Sequence, residues 1–122
     1  MAQHFDLGKQ GEKVALLYLL NKGYIIHEKN WRHGKIEIDL IAEKDERIVF
    51  VEVKTRSTDY FGEPEEAVDR DKEKQLINGA QIFADQHALE EEIRFDIISI
   101  VLNAEQVRVN HIEDAFMDTG TI

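Results

Sequence analysis

Apolar side chains recur along the chain at two spacings, one typical of helices and one typical of strands. Residues 7–22 and a face that runs from Leu76 to His87 repeat every three or four positions, which predicts two helices. Short runs rich in β-branched residues predict five strands, at 24–27, 35–42, 47–54, 93–102 and 106–112. The predicted order is αβββαββ, an α/β fold.

Capping and turn residues mark where these elements begin and end. Asp6 is a predicted N-cap and Gly23 follows the first helix, while Pro64 between glutamates predicts the start of the second. The polar stretch 30–34 predicts a turn after a short first strand. The residues around Phe116 are expected to form a tail.

Length and composition favour one domain over residues 1–122. An apolar content of 43% is enough for one core, and no apolar run has the length of a membrane span. The N-terminus lacks the features of a signal peptide, so we expect a cytoplasmic protein with no membrane contact. The chain has no cysteine. Any metal would therefore bind oxygen or imidazole, which favours hard ions such as Mg²⁺ or Mn²⁺.

The net charge of −10 argues against broad attraction to nucleic acid, because Lys and Arg supply most of that attraction. The basic residues are nevertheless clustered, with Lys29, Arg32 and Lys35 before one predicted strand and Lys54 and Arg56 at the end of the next. A local basic cleft on an acidic body is one interpretation. Charged faces that simply meet solvent are the other.

Charged residues interrupt two strands that are otherwise apolar. Glu52 and Lys54 share the face of Phe50, since strand side chains alternate. If the turn centres on residues 45–46, paired residues have numbers that sum to 91. Asp39 would then lie opposite Glu52, and Glu37 opposite Lys54, close enough for the two carboxylates to share a cation.

These residue types suit metal-assisted hydrolysis of a phosphodiester. Carboxylates hold the ion, and a lysine stabilises developing charge. We therefore predict Asp39 and Glu52 as catalytic metal ligands and Lys54 as the catalytic cation. Glu12 is a further candidate ligand if the first helix turns that face towards the same edge. The competing interpretation is an exposed polar sheet face with an ordinary cross-strand salt bridge.

Four other residues are weaker candidates. Arg56 returns to the face of Lys54, and Lys72 opens the second long helix, so both could contact phosphate. Glu37 and Gln75 are candidates for supporting roles. A solvated surface position is the alternative for each of the four.

Several segments together resemble the bacterial YraN family of uncharacterised proteins. The resemblance covers roughly residues 8–116 and is carried by residues 8–12, 23–24, 37–42, 49–56 and 61–62. It implies a restriction-endonuclease-like fold, with a central mixed sheet flanked by helices, and nuclease activity. The chain is also similar to archaeal Holliday-junction resolvases, whose carboxylate and lysine order matches Glu12, Asp39, Glu52 and Lys54.

The amino-acid sequence is compatible with three hypotheses about function. The first is a Mg²⁺- or Mn²⁺-dependent endonuclease acting on DNA, with branched or damaged DNA as candidate substrates. A homodimer would suit cleavage of two strands. The second is a non-catalytic module with the same fold that binds nucleic acid or protein, and the third is an acidic adaptor whose carboxylates are only surface charge.

Overall fold

The computed structural model describes residues 6–117, and their elements follow the order αβββαββ. This confirms the order that the sequence predicts. The elements are α1 (Leu7–Asn21), β1 (Ile25–His33), β2 (Ile36–Lys44), β3 (Arg47–Arg56), a 3₁₀ turn (Pro64–Ala67), α2 (Arg70–His87), β4 (Glu92–Leu102) and β5 (Val107–Phe116).

The strands form one mixed sheet in the order β1-β2-β3-β4-β5. Neighbours are antiparallel except β3 and β4, which are parallel and are joined by a crossover that contains the 3₁₀ turn and α2. This α/β arrangement is compatible with a restriction-endonuclease-like fold. No helix within residues 6–117 is long and apolar enough to cross a membrane.

The sheet is buried on both faces, which explains why its central strands contain almost continuous apolar runs. Alternate residues of β3 divide between two cores: Val49 and Val51 pack with Ala15 and Leu19 of α1. Phe50 packs on the other face, against Leu76 and Phe83 of α2. Charged side chains in the middle of β3 therefore lie in a sheet whose two faces are covered by apolar side chains.

Two helical glycines bring the helices close to the sheet. A Cβ on Gly11 of α1 would lie 1.7 Å from Thr55 Oγ1 of β3, and one on Gly79 of α2 would lie 2.8 Å from Ile36 Cγ2 of β2. Only glycine fits either contact without displacement. Gly11 thereby fixes the first turns of α1 against the end of β3.

The second helix begins later than the sequence predicts. Pro64 starts a separate 3₁₀ turn of four residues, after which Val68 is extended. The Asp69 carboxylate then accepts a hydrogen bond of 2.9 Å from the amide of Lys72 and caps α2. The acidic residues around Pro64 are compatible with the start of a 3₁₀ turn or of an α-helix. The N-cap of α2 is Asp69.

Two strands are longer than their apolar patterns indicate. β1 continues to His33 through the polar stretch 30–34 that was predicted to turn, and the turn follows at Gly34. A bulge near His27 and a positive φ of 51° at Asn30 let the polar residues follow the edge of the sheet. β5 reaches Phe116, which is buried in the core on the α2 face and is not in a tail.

Candidate metal and phosphate site

The predicted site lies where β2 and β3 separate. Their ladder has the predicted sum of 91, but it ends at Leu40–Val51, so Asp39–Glu52 and Glu37–Lys54 are not ladder pairs. The Asp39 carboxylate instead accepts a hydrogen bond of 2.8 Å from the Val53 amide. A side-chain oxygen thus replaces a main-chain carbonyl, and the strands part beyond it.

Strict alternation also fails in β2 at Asp39. Ile38 and Ile41 both pack in the core against α2, although they are three residues apart. Leu40 packs in the other core, against α1. The strand therefore reorients at Asp39, so that Ile38 and Leu40 lie on opposite faces of the sheet.

The carboxyl groups of Asp39 and Glu52 nevertheless approach each other. Asp39 is 8% exposed and Glu52 is 3% exposed. Glu52 Oε1 is buried and has no hydrogen-bond partner among residues 6–117. Burial raises the pKa of Glu52 to about 8, and the charge of Asp39 and a hydrogen bond with Asp39 act in the same direction. This is a site that repels a second negative charge and attracts a positive one.

Two lysines oppose this accumulation of negative charge. The Nζ of Lys72, on α2, lies 3.7 Å from Glu52 Oε2. The charge of Lys72 lowers the pKa of Glu52 more than the charge of Lys54 does. Lys54 is half-buried on β3. The sequence predicted Lys54 as the principal cation, whereas the structure makes Lys72 the nearer partner of Glu52.

Glu12 of α1 lies within the electrostatic reach of the pair. Burial raises the pKa of Glu12, the charge of Asp39 raises it further, and a hydrogen bond with Asn30 opposes the shift. The contact of Gly11 with Thr55 holds this turn of the helix against β3. Asn30 was missed as a site residue, because its position depends on the positive φ in β1 that the apolar pattern does not encode.

The carboxylates of the described residues do not form a complete metal-coordination site. Within residues 6–117, no group of three or more His, Asp or Glu side chains is arranged to hold a metal ion. Asp39 and Glu52 form a pair, and Glu12 influences that pair through its charge. The chemistry of these oxygen donors suits Mg²⁺ or Mn²⁺, which need only one or two protein carboxylates besides water and phosphate.

The remaining candidates are distributed around this pair. Glu37 forms an ion pair of 2.6 Å with Arg32, not with Lys54. Arg56 is exposed at the end of β3, on the same side of the separation as Lys54. Gln75 is exposed, and its side chain makes no contact with the carboxylates in the described part of the chain.

A second carboxylate, Asp96, lies on β4. It is fully buried. Arg94 donates two hydrogen bonds of 2.9 Å to its two oxygens, and His111 of β5 donates one of 2.7 Å. The Asp114 amide adds one of 3.0 Å. Burial alone would raise the pKa of Asp96, but these donors hold it below its usual range.

Fold and site together define an α/β protein whose mixed sheet carries a buried, incompletely neutralised carboxylate pair beside two lysines. The chain belongs to the family described as "Uncharacterised protein family UPF0102", whose model matches residues 11–100.

Its relatives span nearly the whole chain. A UPF0102 protein of Bacteroides thetaiotaomicron is 43% identical over 116 residues, which are 95% of this chain and 96% of that protein. UPF0102 proteins of Christiangramia forsetii and Flavobacterium psychrophilum are 42% and 44% identical, each over 95% of this chain and 98% of the relative. The described fold therefore corresponds to nearly the full length of these family members.

Proposed function

We propose that this protein is a metal-dependent endonuclease that hydrolyses phosphodiester bonds in DNA, with Mg²⁺ or Mn²⁺ held by Asp39 and Glu52. The observation that carries the proposal is the Glu52 carboxylate, which is 3% exposed and has an Oε1 without a donor. It lies against a second carboxylate, Asp39. Branched or damaged DNA is the substrate class that the family resemblance favours.

The residues present fit a divalent cation. Two neighbouring buried carboxylates destabilise the fold unless a positive charge compensates them, and Lys72 at 3.7 Å compensates only in part. Glu12 is a candidate for additional support, since the charge of Asp39 already raises its pKa. A bound cation would remove the repulsion that the three acidic groups share.

Hydrolysis of the phosphodiester consumes one water. Its oxygen bonds to phosphorus, one phosphorus–oxygen ester bond breaks, and a water proton passes to the leaving alkoxide. A divalent ion at the pair would supply electrophilic activation of the phosphate and acidify a bound water. The chain itself supplies the carboxylates that orient the site and two ammonium groups that offset negative charge.

The lysines have separable roles in this proposal. Lys54 stabilises negative charge that develops on the phosphate, whereas Lys72 neutralises Glu52 when no metal is bound and can contact phosphate when one is. Arg56 is exposed beyond Lys54, and in this proposal it binds a neighbouring phosphate. Glu37 forms an ion pair with Arg32. The supporting role of Gln75 is proposed from its position in the sequence.

A non-catalytic nucleic-acid-binding or protein-interaction module is the second candidate. One observation favours it: the Nζ of Lys72 already lies 3.7 Å from Glu52 Oε2 and offsets part of the negative charge of the pair. In this alternative Lys72 remains the permanent counter-ion of Glu52, and the chain binds its partner without cleaving it.

Metal-dependent stability and cleavage separate the two candidates. Purified protein is heated with Mg²⁺, Mn²⁺ or a chelator, and it is incubated with single-stranded, duplex, nicked and four-way-junction DNA, with RNA as a comparison. We expect a higher Tm with metal and chelator-sensitive cleavage, both weakened in Asp39→Asn. An unchanged Tm together with binding but no cleavage would select the non-catalytic module.

Lys54→Met tests the catalytic assignment within this proposal. The variant keeps both carboxylates, so the rise in Tm with Mg²⁺ should persist. Its cleavage rate should fall about 100-fold if the ammonium contributes ~2.7 kcal/mol to the transition state. Equal cleavage by wild type and Lys54→Met would show that Lys54 is not catalytic and would direct attention to Lys72.

A further inference from the structure

A groove of about 510 Å³ runs between α1 and the β1–β2 pair. Four cationic residues and two acidic ones line it. They are Lys9, Lys13, Lys29, Arg32, Glu12 and Glu37. The groove is locally positive in a chain whose net charge is −10.

Three of the four cations have no counter-ion among residues 6–117. Arg32 is held by Glu37 at 2.6 Å. Lys9, Lys13 and Lys29 are exposed, and no carboxylate of the described residues lies within 4.0 Å of their ammonium groups. Lys9 and Lys13 are four residues apart and so lie one turn apart on the same face of α1. Unpaired charges arranged in this way attract an extended anion.

The groove is continuous with the candidate site. Glu12 is a lining residue, and its pKa responds first to burial and then to the charge of Asp39. Leu40, the last residue of β2 in the ladder with β3, is also a lining residue. A ligand that occupies the groove therefore ends beside the point where β2 and β3 separate.

The opposite end of the sheet repels such a ligand. A second groove there is lined by Arg47 and six acidic residues: Glu43, Asp45, Glu46, Glu90, Glu91 and Glu92. The β2–β3 turn belongs to that acidic groove, at the far end of the ladder from Asp39. The charge distribution thus favours the approach of a polyanion along the lysines of the first groove over its approach at this acidic end.

We propose that the groove lined by Lys9, Lys13 and Lys29 is the track for the sugar-phosphate backbone of the nucleic-acid strand that is cut. This inference rests on the proposed function and adds a substrate-binding surface to it. The three lysines contact phosphates and carry no sequence information, and they position one phosphate at Asp39 and Glu52. Arg32 is held back by Glu37 and contributes less.

The test is nucleic-acid binding by a lysine triple variant. Lys9→Gln/Lys13→Gln/Lys29→Gln is compared with a matched control, Lys22→Gln/Lys44→Gln/Lys74→Gln, which removes the same charge outside the groove. Fluorescence anisotropy with labelled single-stranded and duplex DNA is measured with a chelator, so that no strand is cut. We expect the groove variant to bind at least about 10-fold more weakly, with the salt slope reduced by about two to three.

The control should change affinity less than about threefold, and the triple Lys→Arg variant of the groove should bind as wild type does, because charge alone is required. Equal losses in the groove and control variants would overturn the track, as would wild-type protein that binds no DNA at low salt. Binding that depends on the groove without any cleavage would instead refute the nuclease while leaving the track intact. If the groove variant instead cleaves DNA with the wild-type KM, the track is refuted and the proposed nuclease activity stands.

Discussion

Two buried carboxylates in the same sheet have opposite environments. Asp96 receives four hydrogen bonds from Arg94, His111 and the Asp114 amide, and its pKa lies below its usual range. Glu52 has an oxygen without a donor, and burial beside Asp39 raises its pKa to about 8. Both groups are almost inaccessible to solvent, so burial alone does not explain the difference.

The difference separates a carboxylate whose donors all lie within the chain from one that the described residues leave partly unsatisfied. The Asp96 network is complete within the chain and needs nothing else, as expected of a structural ion pair. In the Asp39–Glu52 pair, one Glu52 oxygen has no hydrogen-bond partner among the described residues, and the proposed cation would complete the pair. Incomplete buried polar groups are maintained against their cost in stability where they have a function.

Removing Asp96 should produce the largest loss of stability. Asp96→Ala leaves Arg94 charged and 14% exposed, without its bidentate partner. Breaking a buried pair in this way costs about 3–5 kcal/mol. Urea unfolding at neutral pH measures the change. A loss below about 1 kcal/mol would mean that the network is not structural and that the contrast with Glu52 fails.

Gly11→Ala should produce the next largest loss. The added methyl overlaps Thr55 Oγ1, so α1 must move away from β3, at about 1–3 kcal/mol for an overpacked contact. Gly8→Ala is the control, because its Cβ would meet only Asp6 Oδ1 at an ordinary 3.5 Å. Thermal unfolding of both variants should show a lower Tm for Gly11→Ala alone. Similar Tm values would show that the helix tolerates displacement.

Glu52→Gln should have the opposite sign. With a folded pKa of about 8, Glu52 must take up a proton at pH 7 that the unfolded chain does not hold, and this uptake costs stability. A neutral amide avoids that cost, so Glu52→Gln should stabilise the metal-free protein by about 0.5–2 kcal/mol. The measurement is urea unfolding at pH 7 with a chelator. A clear destabilisation would mean that Glu52 is a structural partner of Lys72, as Asp96 is of Arg94.

Of the residues substituted in these predictions, only Asp96 is expected to lose stabilising interactions in acid. Because the pKa of Asp96 is lower in the folded protein than its ordinary 3.8, the ionised group stabilises the fold above about pH 4. That contribution disappears as the pH falls through the folded pKa. The stability difference between wild type and Asp96→Asn should therefore shrink between pH 5 and the most acidic conditions that permit unfolding measurements. A difference independent of pH would contradict the network.

The sequence predicted the part of the site that depends on strand geometry. The β-branched run around Phe50 identifies β3, and the sum of 91 describes its ladder with β2. Those two inferences bring Asp39 and Glu52 to neighbouring strands. They follow from alternation and from turn length, which are local properties of the chain.

The remaining features depend on contacts distant in sequence. The reorientation of β2 at Asp39 requires the Val53 amide as donor, and the burial of Asp96 requires His111 and Arg94 from positions that appear as ordinary polar residues. The proximity of Lys72 to Glu52 follows from how α2 packs on the sheet. No single stretch of sequence encodes those distances, so periodicity could not reveal them.

The hydrogen bond from the Val53 amide to Asp39 Oδ2 also provides a spectroscopic probe. The proton of this amide points at a carboxylate oxygen. Its chemical shift and its rate of exchange with deuterium therefore respond to the charge on Asp39. A cation that binds Asp39 would weaken this hydrogen bond, so the resonance of one backbone nitrogen could be titrated with metal in the absence of any substrate.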